Sequence, residues 1–171
     1  MQFIYGSEEQ AVSFLKNITE KERVAIFSHD DVDGFVSGRV LHAAIKAEIV
    51  EFLDYDPHLA MNTLPQVKEK KINKVIFSDL KQEIKDIKEF AQSFQGKILI
   101  LDHHEYTEDL NDEKLIFIKA DSSSCAALIA YALLKKAGYA LEHLDWLVGA
   151  AVIADYTFEQ NRSFIQSLEE K

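Results

Sequence analysis

Apolar residues recur along this chain with two alternating periods. Ser7 and Gln10 make a capping-box pair, and Ala11, Phe14, Leu15 and Ile18 follow at helical spacing, so the chain opens with an amphipathic helix. The run VAIFS, from Val24 to Ser28, is short and rich in strand formers, and it ends in the polar cluster HDDVDG. From Gly34 onward, Val36, Val40, Ala43, Ala44 and Ala47 share one helical face. This strand, loop and helix unit recurs. EIVEFLDY predicts a second strand, with Asp56 and Pro57 as N-cap and first residue of a weak helix around Gln66 to Lys71. KVIFSD predicts a third strand, Ile84, Ile87, Phe90, Ala91 and Phe94 a helix, and KILILD a fourth strand. LIFIK, from Leu115 to Lys119, is the fifth. Ser122 to Ser124 offer a cap for a helix that runs through Lys136 and stops at Gly138, and a last apolar helix spans Leu141 to Ala154.

Strands that read as unbroken apolar runs between helices predict a mainly parallel sheet with helices on both faces, a doubly wound α/β fold. Such sheets bind ligands beyond the carboxyl ends of their strands. This sequence concentrates histidine and aspartate there: His29, Asp31 and Asp33 after the first predicted strand, Asp79 after the third, and Asp102, His103 and His104 after the fourth. All lie on one rim.

Charge narrows the picture. With 19 basic and 29 acidic residues the formal charge is −10, which repels a polyanion unless bound cations reverse the field locally. The single Cys125 cannot form an intramolecular disulfide, and the opening MQFIYGSEEQ lacks the basic and apolar regions of a signal peptide, so a cytoplasmic location is expected. The most apolar stretch, Leu144 to Ala154, is far shorter than the roughly 20 residues that cross a bilayer. No membrane role is expected.

HDDVDG invites comparison with a calcium-binding EF-hand loop, but that loop needs an acidic first residue and a glutamate at its twelfth position. Here those places hold His29 and Val40, and the segment follows a strand. What remains is HxDxDG, in which alternate residues of an extended loop can aim one imidazole and two carboxylates at a common ion while Gly34 allows the turn into a helix. A solvated turn fits the same residues. Asp79 is either a helix cap or a carboxylate aimed into the crevice, and the paired histidines of LDHH are either exposed or ligands. Asp155 closes the apolar segment AAVIADY, where exposure at a helix end and metal ligation are both open. His42, His58 and His143 have no supporting pattern, and Cys125 sits among alanines as a small core residue.

Taken in order from Ser28 to Tyr156, SHDDVDG, FSD, LDHH and AAVIADY resemble the four motifs of the DHH phosphoesterase superfamily. That superfamily includes RecJ-like exonucleases, oligoribonucleases, cyclic-dinucleotide phosphodiesterases, exopolyphosphatases and manganese pyrophosphatases. The resemblance implies two divalent metal ions, manganese first, with magnesium, cobalt or zinc as alternatives. It implies that His29, Asp31 and Asp79 hold one ion and that Asp33, Asp79, His103 and Asp155 hold the other. Asp79 then bridges, His104 faces the substrate phosphate as a catalytic residue beside Asp79, and Asp102 orients a histidine. Ligands after the first, third and fourth predicted strands meet around ions roughly 3.5 to 4 Å apart only if those strands are neighbours. The expected order is therefore 2-1-3-4-5 in a five-stranded sheet.

The implied activity is hydrolysis of phosphodiester bonds in nucleic acid or short nucleotides by a hydroxide activated between the metals, an exonuclease-like or phosphodiesterase reaction. Hydrolysis of pyrophosphate or polyphosphate is an alternative, although the HxDxDG spacing resembles RecJ-type members more than the pyrophosphatase pattern. Residues 1–171 read as a single catalytic domain. The family's usual second domain, with its glycine- and histidine-rich substrate motif, is not seen, so a homodimer or a partner that completes substrate binding is expected. An all-helical HD-type phosphohydrolase is a weaker reading, because His29 follows a strand. A non-catalytic replication scaffold is the other, and the intact ligand pattern argues against it.

Overall fold

The computed structural model describes residues 2–169. Its strands are β1 (Phe3–Tyr5), β2 (Val24–His29), β3 (Ile49–Leu53), β4 (Lys74–Ser78), β5 (Lys97–Asp102) and β6 (Leu115–Ala120). They form one sheet of order β1-β6-β5-β4-β2-β3, in which every pairing is parallel except that of β1 with β6. The five expected strands take the expected 2-1-3-4-5 order, and the correction is a sixth. At three residues β1 is too short to show a period of its own. It forms because the edge of β6 offers partners, Phe3 opposite Ala120 and Tyr5 opposite Lys119.

Helices α1 (Glu8–Lys16), α2 (Val32–Ala44), α5 (Ala126–Ala137) and α6 (Asp145–Ala154) cover one face, and α3 (Leu59–Glu69) and α4 (Ile84–Ser93) the other. Because both faces are covered, every residue of β2 and of β4 is buried. Alternate side chains enter opposite cores, Ile26 and Ile76 on one face and Phe27 and Phe77 on the other.

Three helical expectations need correction. Asp56 and Pro57 do not open α3, which starts at Leu59 after an aspartate turn in which Asp56 Oδ1 accepts from the His58 N–H at 2.7 Å. The helix also runs through Pro65, because burial of Leu59, Ala60, Leu64 and Val67 against the sheet outweighs the lost backbone donor. The last segment divides into a 3₁₀ turn (Glu142–Leu144) and α6, and is followed by an unexpected amphipathic helix, α7 (Arg162–Glu169). Gly138 stops α5 as expected, in a left-handed conformation with φ of 100°. Among the described residues no helix is long and apolar enough to cross a membrane.

Phe77 ties the centre of the sheet to α4, with ring centroids 5.5 Å from Phe27 and 5.4 Å from Phe90. Phe77→Ala is expected to cost about 3–5 kcal/mol in urea unfolding, and a cost below about 1 kcal/mol would show that this core does not depend on the stack.

Candidate metal centre

Each candidate side chain sits where a strand or helix ends. His29 is the last residue of β2, and Asp31 caps α2 by accepting the Gly34 N–H at 2.9 Å. That turn is tight enough that a Cβ on residue 34 would lie 2.4 Å from the His29 carbonyl oxygen, so glycine is required. Asp33 follows in the first turn of α2. Asp79 comes immediately after β4 with φ of +60°, a strained left-handed conformation for a non-glycine residue, and its N–H donates to Leu101 O at 2.9 Å. Asp102 ends β5, His103 and His104 follow, and Asp155 is the C-cap of α6.

These residues, up to 126 positions apart in the chain from His29 to Asp155, converge. His103 Nε2 lies 3.3 Å from Asp79 Oδ1 and 3.8 Å from Asp33 Oδ2, and its Nδ1 lies 3.8 Å from Asp155 Oδ2. His29 Nδ1 is 3.1 Å from Asp31 Oδ2. Among the described residues four groups each place one donor atom per residue within 4.8 Å of the others: His29 with Asp31 and Asp79, Asp33 with His103 and Asp155, Asp79 with His103 and His104, and, more exposed, His29 with Asp30 and Asp54. Asp79 belongs to two of them. His42, His58 and His143 are exposed and belong to none.

Asp33 has a second task that sequence reasoning missed. Its carboxylate accepts from the N–H groups of Ala126 and Ala127 at 2.7 and 2.8 Å, and so caps α5 from across the fold. The caps expected from Ser122 to Ser124 are not made. An aspartate at a helix N-terminus is stabilised by both the hydrogen bonds and the helix dipole.

Asp102 is fully buried and accepts four hydrogen bonds, from the N–H groups of His103 and His104 at 2.7 and 2.9 Å, His104 Nδ1 at 2.7 Å and the Tyr106 hydroxyl at 2.8 Å. A carboxylate acceptor fixes the proton of His104 on Nδ1 and turns Nε2 outward. There Nε2 lies 3.1 Å from the hydroxyl of Tyr55, whose ring stacks on His29 at 4.1 Å. Tyr55 was the other omission. It ends the predicted segment EIVEFLDY, and the strand-end rule that selected the aspartates could have selected it.

Burial drives the electrostatics. It raises the Asp79 carboxyl to about 10, reinforced by the nearby charges of Asp33 and Asp102. Burial also raises Asp33, to about 6, against the opposing pull of the Ala127 and Ala126 amides, and it raises Asp155. Asp102 differs: burial pushes it up, but the bonds from His104 and Tyr106 hold it below the ordinary carboxylate value. Burial pushes His104 down, but its bond to Asp102 and the charges of Asp102 and Asp79 together raise it. His29 Nδ1 and Asp79 Oδ1 are buried without a hydrogen-bond partner. Oxygen and imidazole donors, crowded carboxylates and two orphaned buried atoms at one spot fit a divalent cation.

The structure defines a mostly parallel α/β domain with a cluster of histidines and aspartates able to hold a cation at its topological switch point. Residues 23–154 match the sequence model of the DHH family, N-terminal domain, and the chain belongs to that family. No curated protein matches it. Among solved structures it is similar to exonuclease RecJ bound to manganese, with a TM-score of 0.65 and 18% identity over 92% of this chain and 46% of that one. RecJ from Thermus thermophilus, in complex with Mn²⁺, gives 0.61 and 20% over 86% of this chain and 24% of that one. CDC45 from Entamoeba histolytica gives 0.67 and 15% over 95% of this chain and 38% of that one. The chain thus spans less than half the length of these proteins.

The raised carboxyls set a pH dependence. Asp33 and Asp79 keep their protons in the fold above 3.8, where the unfolded chain has already released them. The unfolded state then binds fewer protons, so these groups lower stability as pH rises through 6 and toward 10. Without divalent cations, the melting temperature is expected to fall between pH 5 and 8, and manganese should restore more of it at pH 8 than at pH 5. Asp79→Asn should raise the metal-free melting temperature at pH 8 and abolish most of the manganese shift. A manganese shift that survives in this variant would remove Asp79 from the centre.

Proposed function

We propose that this chain is the catalytic domain of a two-metal phosphoesterase that hydrolyses phosphodiester bonds of short nucleotides. The observation that carries the reading is Asp79, which is shared by two donor groups and has a buried oxygen left unpartnered between them. His29, Asp31 and Asp79 would hold one divalent ion, and Asp33, Asp79, His103 and Asp155 the other. Manganese is the first choice, on the likeness to manganese-bound RecJ. When bound, the ions supply Lewis acidity at the phosphoryl oxygens and lower the pKa of water.

The chain's own residues supply the rest. His104, anchored through Nδ1 on Asp102, presents Nε2 beside the Tyr55 hydroxyl; when protonated there it would donate to a phosphoryl oxygen or pass its proton to the leaving alkoxide. Asp102 keeps that ring from turning, and Tyr106 keeps Asp102 in place. The ring of Tyr55, half exposed beside His29, offers a face for a nucleobase. A formal charge of −10 disfavours a long polyanion, so tight grip on long strands would need a further protein segment, a partner or a second copy. A purely scaffolding role would need none of these side chains and would leave the buried aspartates as an uncompensated burden on stability.

Asp79→Ala is expected to lower manganese-dependent hydrolysis of bis(4-nitrophenyl) phosphate by roughly a thousandfold or more while circular dichroism stays native. A near-normal rate would sink the proposal. Asp102→Asn should lower kcat by about 10- to 100-fold with manganese binding retained, and an unchanged kcat would show that the anchoring of His104 is irrelevant to turnover. Comparing dinucleotide, 3′,5′-bisphosphorylated adenosine, pyrophosphate and single-stranded DNA would rank the substrates.

A further inference from the structure

The two histidines after β5 are aimed by different means. The ring of His104 is anchored, with Nδ1 on Asp102 at 2.7 Å. The ring of His103 makes no hydrogen bond among the described residues. Asp79 Oδ1 lies 3.3 Å from its Nε2, and that oxygen has no hydrogen-bond partner. The direction of the His103 ring therefore rests on the main chain that carries it.

That main chain lies just past the end of the sheet ladder. The pairing of β5 with β6 stops at Asp102 opposite Lys119. Beyond it two charged side chains take over. The His103 N–H donates to Asp102 Oδ1 at 2.7 Å, and the His103 carbonyl accepts from Lys119 Nζ at 2.8 Å. Both backbone groups of His103 are thus gripped, one from its own strand and one from the neighbouring strand.

Lys119 is a costly residue for this duty. It is 5% exposed, and among the described residues its ammonium forms no ion pair, only its bonds to His103 O and Ala120 O. Burial lowers its pKa, against the charges of Asp102, Asp121 and Glu105. A methionine would fill similar space without the desolvation penalty of a buried cation. The other buried lysine among the described residues, Lys74, stands at the opposite end of the sheet, where it opens β4 and donates to Asn17 O at 2.7 Å. What the rim lysine holds is the backbone of a candidate ligand.

We propose that Lys119 is a positioning residue, whose ammonium holds the His103 carbonyl from the neighbouring strand and so aims the His103 ring into its cation group. This rests on the two-metal reading above. His103 shares a donor group with Asp33 and Asp155 and is absent from the group of His29, Asp31 and Asp79, so loss of the grip should weaken one ion site and spare the other.

Zinc is titrated into metal-free protein labelled with ¹⁵N-histidine, and the ring nitrogens of His29 and His103 are followed by NMR. Both are expected to shift saturably in the native protein. In Lys119→Met the His103 midpoint should move to about 10- to 100-fold higher zinc while the His29 midpoint stays in place. Lys74→Met, which loses a comparable buried bond far from the rim, should lower the melting temperature and leave both midpoints unchanged. Midpoints that move together in Lys119→Met, or that do not move, overturn the positioning role and leave the two-metal reading standing. Native protein that binds zinc at neither histidine overturns both. The native protein also supplies a test that needs no variant: the Lys119 ¹⁵Nζ resonance should shift with the His103 midpoint, and a resonance indifferent to zinc at His103 overturns the link.

Discussion

Carboxylates cannot be buried side by side unless something answers their charge, and this fold packs three at one end of its sheet. Asp33, Asp79 and Asp102 are 3%, 1% and 0% exposed. Each is answered differently. Asp33 is held by the amides that open α5, and Asp102 by two backbone amides, a histidine and a tyrosine. Among the described residues Asp79 has only the neighbouring histidines beside it, and burial with the charges of Asp33 and Asp102 keeps its proton on. A cation shared at that point relieves the repulsion at its source. On the proposed reading, the crowding that weakens the cation-free fold would also favour a bound cation.

The helices on both faces and the strand-end positions of the histidines and aspartates were legible in the sequence because each has a local signature, and the sheet order followed from requiring the strands that carry the motifs to be neighbours. Buried parallel strands read as apolar runs, and the rim is reached by reading one residue past each run. What was not legible depends on partners distant in the chain. The strand β1 exists because β6 has a free edge, and α3 passes through Pro65 because its other residues are buried. Ser122 to Ser124 looked like the cap of α5, but a carboxylate from α2 reaches those amides first and binds them as an ion. Tyr55 went unread because a tyrosine at a strand end is ordinary, and only the fold shows its ring on His29.

Tyr106 joins the two halves of the rim. One hydroxyl supports the acid that orients His104 and also holds the backbone at Gln82, just before α4. Through the carbonyl of His103, Lys119 makes a second link between them.

The clasp between Asp33 and α5 also constrains how the protein comes into being. The amides it needs lie 93 and 94 residues downstream, so a nascent chain on the ribosome can complete β2, α2 and the central strands long before this carboxylate finds its partners. Until Ala126 and Ala127 emerge, the aspartate must stay hydrated or protonated, and α2 lacks the helix it packs against. Assembly of the cluster is consequently a late event of synthesis, and a ribosome stalled before α5 would display a half-built sheet whose Asp33 still lacks its partners.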